Sequence, residues 1–162
     1  MPETPDDYLA ANPYTEEGET PAPDSPRRRL PVPHRQVWAA VQDGLRTMPR
    51  VREAVVWSDR GWRWSWLYSC DDRAVAYLVP TERGVLGALV VQERNLGPLL
   101  GHKDVTAKMA DRIRTAPPEG EGRTCWVPVL DVDTAREFLL SVRATLDVMR
   151  AARTCAEGPA GT

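Results

Sequence analysis

Few residues in this chain have types suited to chemistry. There are two histidines, His34 and His102, the second in the run Gly101-His102-Lys103-Asp104. A metal centre needs several N, S or O ligands converging on one point. His102 and Asp104 supply two, so no metal site is expected, and loop polarity with an N-cap at Asp104 accounts for both. Cys70 and Cys125 fall in strand-like runs. A catalytic thiolate needs a neighbouring cation or helix N-terminus. Arg73 and Arg123 are near in sequence, but strand alternation leaves their facing open, and inert buried thiols are expected. The carboxylate pairs Asp71-Asp72 and Asp131/Asp133 suit turn and N-cap duties. A Ser-His-Asp triad is a matter of geometry rather than spacing, but no G-x-S-x-G elbow occurs. No phosphate loop, dinucleotide glycine fingerprint or zinc-type cysteine pairing occurs either. No catalytic residue and no cofactor are assigned.

The aromatic residues are the stronger signal. Trp62, Trp64, Trp66 and Tyr68 alternate with Arg63, Ser65, Leu67 and Ser69. That period of two predicts a strand with one aromatic face. Packed as core, each large ring buries roughly 150–250 Å², and core packing is the simplest account of the stripe. Lining a pocket, the stripe with Trp57 and Tyr77 would suit a planar apolar ligand. Arg63 and Arg73 could then hold an anion. The candidate ligand residues are therefore Trp62, Trp64, Trp66, Tyr68, Tyr77, Arg63 and Arg73.

Composition bounds the rest. The chain has 162 residues, 42% hydrophobic and 27% charged, with net charge −2. Residues 1–26 hold seven acids and no Lys or Arg, so the remainder carries +5. Eight prolines fall in the first 33 residues. Residues 1–32 are thus expected to be a disordered acidic tail, too poor in apolar area to offset its chain entropy. Within it Tyr8, Leu9 and Tyr14 are candidate anchors for a protein partner. The run Arg27-Arg28-Arg29 is read as a charged linker, with phosphate contact as the alternative. Three cysteines in odd number suggest a reducing compartment. With no apolar run of membrane length and no signal-peptide pattern, a cytoplasmic location without membrane contact is expected.

These residues must be positioned by a single domain over 33–150. Val37, Trp38, Val41, Leu45 and Met48 predict a helix at 34–48. Four strands follow: Val51–Trp57, the tryptophan strand, Arg73–Val79 and Val85–Val91, joined by short turns as an antiparallel meander. A helix is expected at 104–114, a loop at Pro117-Pro118, a strand at Thr124–Leu130, and a last helix capped by Thr134 and Glu137 that ends near Arg150. The order is helix, four strands, helix, strand, helix. That describes an α+β, two-layer fold with a mostly antiparallel sheet of about five strands packed by two or three helices. Residues 151–162 are expected to be a second disordered tail.

Along this framework a family resemblance emerges. Gly61-Trp62 and the tryptophan strand, the step Tyr77-Leu78-Val79-Pro80, the Gly84 turn into Val85–Val91, and Gly122 before Trp126 are similar to the bacterial family called domain of unknown function 3788. The resemblance spans roughly Pro33 to Met149. The interval from Gly122 to Trp126 is longer than that family's usual form, and the acidic N-terminal segment lies outside it. The resemblance implies a small α+β fold and no activity.

The reading that follows is a non-catalytic binding or adaptor domain for a protein partner or small ligand, with the acidic tail as tether or second contact. One alternative is an enzyme of unrecognised type with a cleft near residues 101–125. Another is a weak nucleic-acid binder using Arg63, Arg73 and the Arg27–Arg29 run, although nucleic acid is disfavoured by the mild charge.

Overall fold

The computed structural model describes residues 4–157, with side chains as far as Thr154. The elements are α1 (Pro5–Leu9), α2 (Pro26–Arg29), α3 (Val32–Arg46), β1 (Val51–Ser58), β2 (Arg63–Cys70), β3 (Arg73–Thr81), β4 (Gly84–Gln92), α4 (Glu93–Leu100), α5 (Ala107–Thr115), β5 (Pro118–Glu119), β6 (Gly122–Val129) and α6 (Val132–Glu157). All neighbouring strands pair antiparallel in one sheet of order β1-β2-β3-β4-β6-β5. The α+β class and the four-strand meander match the expectation. The sheet has six strands rather than five, because the Pro118–Glu119 loop adds a short rung to β6.

Local chemistry explains the connections. The β2–β3 hairpin turns through Asp71 and Asp72, at φ 51° and 63°. A two-residue turn with both central residues left-handed matches the twist of its strands, and Asp tolerates that conformation. The last helix starts three residues earlier than expected. Asp131 Oδ1 accepts from Thr134 N at 2.8 Å, and Thr134 Oγ1 accepts from Asp131 N at 3.1 Å. That is a reciprocal cap, with Asp131 in the leading position. Likewise α5 is capped by Thr106, which accepts from Met109 N, and not by Asp104. Helix α4 is absent from the expected order, and Gly97 and Pro98 fall inside it. Both lie in its second half, beyond the first turn.

The longer helices pack on one face of the sheet. Trp38, Val41 and Leu45 of α3, and Phe138 and Val142 of α6, meet Trp66, Leu78, Leu89 and Val127 in the main core. The approach is close. A Cβ on Gly87 would stand 2.9 Å from the Phe138 ring, so β4 needs glycine there. A smaller cluster on the opposite face joins Tyr8, Leu9, Trp62, Val79 and Leu86, with Tyr77 and Trp126 against it.

Residues 4–32 overturn the expectation of a disordered tail. Tyr8, Leu9, Tyr14 and Leu30 are buried. Thr4 and Asp7 form a capping box on α1. Asn12 Nδ2 donates to Trp62 O and Trp64 O, at 2.8 and 3.0 Å. The indole Nε1 groups of Trp64 and Trp66 donate to Glu16 O and Pro23 O. The segment thus binds through a few buried side chains and through backbone carbonyls, and composition does not reveal the carbonyls. Its prolines also restrict the unfolded chain and lower the entropy that ordering removes.

Other boundaries shift as well. Helix α6 continues to Glu157, past the expected end near Arg150, while residues 158–162 of the expected C-terminal tail lie outside the described residues. No helix among the described residues is long and apolar enough to cross a membrane.

Candidate functional site

The tryptophan stripe does not keep one face. Gly61 and Arg63 at φ 84° and 63° break the alternation at the β1–β2 turn. Trp62 therefore lies on the α1 side, edge-on to Tyr77 and Trp126 at centroid distances of 5.3 and 4.8 Å, with Arg60 over its ring. Trp64 and Trp66 face the main core, where Trp66 is wedged edge-on between Tyr14 and Trp38. Tyr68 donates its hydroxyl to Glu53 at 2.6 Å. Trp62, Trp64, Trp66 and Tyr68 are all buried. Arg63 donates to Ala10 O and Asn12 O. The stripe with Arg63 is thus occupied by this chain's own N-terminal segment, and the same packing buries the expected partner anchors Tyr8, Leu9 and Tyr14. In the basic run, Arg27 bonds Gln42 and Asp43, and Arg29 bonds Pro13 O and covers the Tyr14 ring.

Of the candidate ligand residues, Arg73 alone lines the main cleft, joined there by Cys70 and Asp71, which were expected to be an inert thiol and a turn carboxylate. This cleft of about 900 Å³ lies between the α3–β1 turn, the β2–β3 turn, α4 and α6. Met48, Cys70, Leu146 and Met149 supply its apolar surface. Six arginines line it: Arg50, Arg73, Arg94, Arg143, Arg150 and Arg153. Two acids tie down three of them. Asp71 bridges Arg50 and Arg153, both at 2.6 Å, and Asp147 holds Arg150 at 2.7 Å. The side chains of Arg73, Arg94 and Arg143 have no hydrogen bond or ion pair among the described residues. Asn95 lines the same cleft at 4% exposure, and its amide likewise has no partner among them. The residue as a whole is buried, but its amide atoms stay open to solvent in the cleft, where a ligand can replace water on them.

At one edge of the cleft His102 Nε2 lies 3.3 Å from Asp147 Oδ2, and Asp104 completes a three-residue cluster. The sequence counted two ligands there, and folding adds Asp147 as a third. The tautomer argues against a metal. His102 Nδ1 accepts from Asp104 N at 3.1 Å, which leaves the proton on Nε2 facing Asp147. A metal-bound histidine does the reverse, donating through the nitrogen that does not bind. The cluster acts as a brace that fixes Asp147, and through it Arg150.

The two described thiols are both held toward the protonated form. Burial pushes Cys125, which is 2% exposed, up to about 11. Cys70 is also raised, first by burial and then by the Asp71 carboxylate, with Arg50 and Arg153 pulling against both. The expected enzyme cleft at 101–125 would need His102, Asp104 or Cys125 around a hollow. Cys125 instead points into the main core.

No protein-family model matches the chain, and no curated protein or solved structure matches it.

Proposed function

We propose that this protein is a non-catalytic binding domain whose arginine-lined cleft takes a small anionic ligand. The observation that carries it is the meeting of the Arg73, Arg94 and Arg143 guanidiniums, none paired by a side-chain bond among the described residues, on one apolar-floored cleft beside the Asn95 amide. Guanidinium groups suit phosphate and carboxylate because their planar donors bind two oxygens at once. The raised thiol of Cys70 and the braced His102–Asp147 pair offer neither an activated nucleophile nor a free base, which supports binding over turnover. The N-terminal segment enters as scaffold, holding the tryptophan strand in place. Kinship with the domain of unknown function 3788 family remains part of this proposal and contributes no activity to it.

Calorimetry with methyl phosphate tests the proposal. Arg94 and Arg143 are exposed, so Arg94→Ala with Arg143→Ala is expected to fold normally. Charge-assisted hydrogen bonds contribute about 1.5–3 kcal/mol each, so the double variant should bind at least ten-fold more weakly. Equal affinity in the parent and the double variant would place the anion elsewhere and sink the proposal.

A further inference from the structure

The cleft holds more than a simple anion needs. Its volume of about 900 Å³ sits near the upper end of the ~300–1,000 Å³ typical of ligand pockets. Its apolar surface is aliphatic and thioether. Met48 belongs to the main core, and Leu146 and Met149 pack against it, so this surface is anchored to the interior. Methionine side chains adapt their shape to a flexible guest. No aromatic side chain lines the cleft. The tryptophans that could stack a nucleobase are held within the two core clusters, most of them in edge-on pairs.

The polar groups stand on both sides of that surface: Arg143, Asp147, Arg150 and Arg153 share α6 with Leu146 and Met149, and Arg73 and Arg94 lie on β3 and α4. Arg73 and Arg94 also line a second hollow, of about 560 Å³, together with Ala74, Val90 and Gln92 of the sheet and the acids Glu93 and Glu121, of which Glu93 is paired with Arg123. They therefore stand at the sheet end of the main cleft, whereas Leu146 and Met149 belong to α6. A headgroup at Arg73 and Arg94 leaves the α6 side for a chain. The three untied guanidiniums and the Asn95 amide offer more donors than one carboxylate uses, and they suit a phosphate dianion with three terminal oxygens.

Resting on the anion-binding reading above, we infer that the ligand is an aliphatic phosphate, an alkyl or acyl chain ending in a phosphoryl group, rather than a nucleotide. Its head lies against Arg73 and Arg94 and its chain along Leu146 and Met149.

Calorimetry on the full chain tests this with inorganic phosphate, methyl, butyl and octyl phosphate below micelle formation, AMP, 1-octanol, and vesicles containing phosphatidate. Affinity should rise roughly three- to four-fold for each methylene the cleft buries. AMP should bind no better than methyl phosphate, and 1-octanol, tested by competition against octyl phosphate, should bind well below it. Met149→Ser should flatten the chain-length series, weakening octyl phosphate several-fold more than inorganic phosphate. A flat series in the parent protein, AMP binding tighter than octyl phosphate, or an unaltered series in Met149→Ser would overturn the aliphatic assignment and leave the anion site standing. Binding to phosphatidate vesicles without binding to free octyl phosphate would overturn it in favour of a surface contact. No heat with any phosphate would overturn both.

Discussion

Among single residues, Gln42 shows how a polar group is retained in this core. It is fully buried in α3 and uses both ends of its amide. Its Oε1 accepts from Trp38 Nε1 at 3.1 Å and from Arg27 Nε at 2.8 Å. Its Nε2 donates to Pro23 O at 2.9 Å and to Glu53 Oε2 at 3.1 Å. Glu53 in turn accepts from Tyr68 and Arg46. One side chain therefore ties the N-terminal segment to α3 and to the first two strands. Gln42→Leu preserves the volume but orphans the buried Trp38 indole N–H, while Pro23 O keeps its bond from Trp66. An unmade hydrogen bond costs about 1–3 kcal/mol per buried group, so a loss of about 2 kcal/mol is expected. The readout is a lower urea midpoint at unchanged slope. A loss below about 1 kcal/mol would mean that water replaces these bonds and that the hub is dispensable.

At the level of elements, the decisive piece is the segment carrying α1 and α2. Period-two alternation was enough to reveal β2 and the meander, because side-chain direction follows directly from strand geometry. It failed at Trp62, where Gly61 and Arg63 turn left-handed and reset the phase. Composition failed more completely at residues 4–32. Acids and prolines describe the side chains, whereas the attachments run through Glu16 O and Pro23 O, and carbonyls are common to every residue. The cleft was legible only at Arg73, since its walls come from segments that no local pattern connects. Deleting residues 1–31 separates a scaffold from a tail. The deletion would strip the carbonyl partners from Trp64 and Trp66 and remove Tyr14 from the Trp66 ring. A red-shifted tryptophan emission, binding of a hydrophobic dye and a lower melting temperature are expected. Unchanged emission and melting would return the segment to the status of a tether.

Across the whole molecule, the titrating groups predict a plateau of stability bounded on both sides. On the acid side, hydrogen bonds hold three carboxyls below the usual carboxylate range: Asp7 chiefly by the Thr4 backbone, Asp43 by Arg27, and Asp131 by the Thr134 backbone. A carboxyl lowered by folding adds stability above its unfolded value, near pH 4. That contribution disappears as pH falls through the folded value, so the acid limb should begin below about pH 4. On the alkaline side the direction reverses. Burial raises Tyr14, Tyr68 and Cys125, the last to about 11. These groups keep their protons longer when folded. Their stabilisation is complete below the unfolded values, near 9 for the thiol and 10 for the phenols. It is lost as pH climbs through the folded ones, and the thiol's share is about 2–3 kcal/mol. Urea midpoints from pH 3 to 11 at constant salt should be flat between roughly 5 and 8.5 and fall at both ends. Cys125→Ala should start lower, because it leaves a small cavity, yet decline less between pH 9 and 11 than the parent. Parallel declines in the two proteins would show that the buried thiol does not govern the alkaline limb and would assign that limb to the tyrosines.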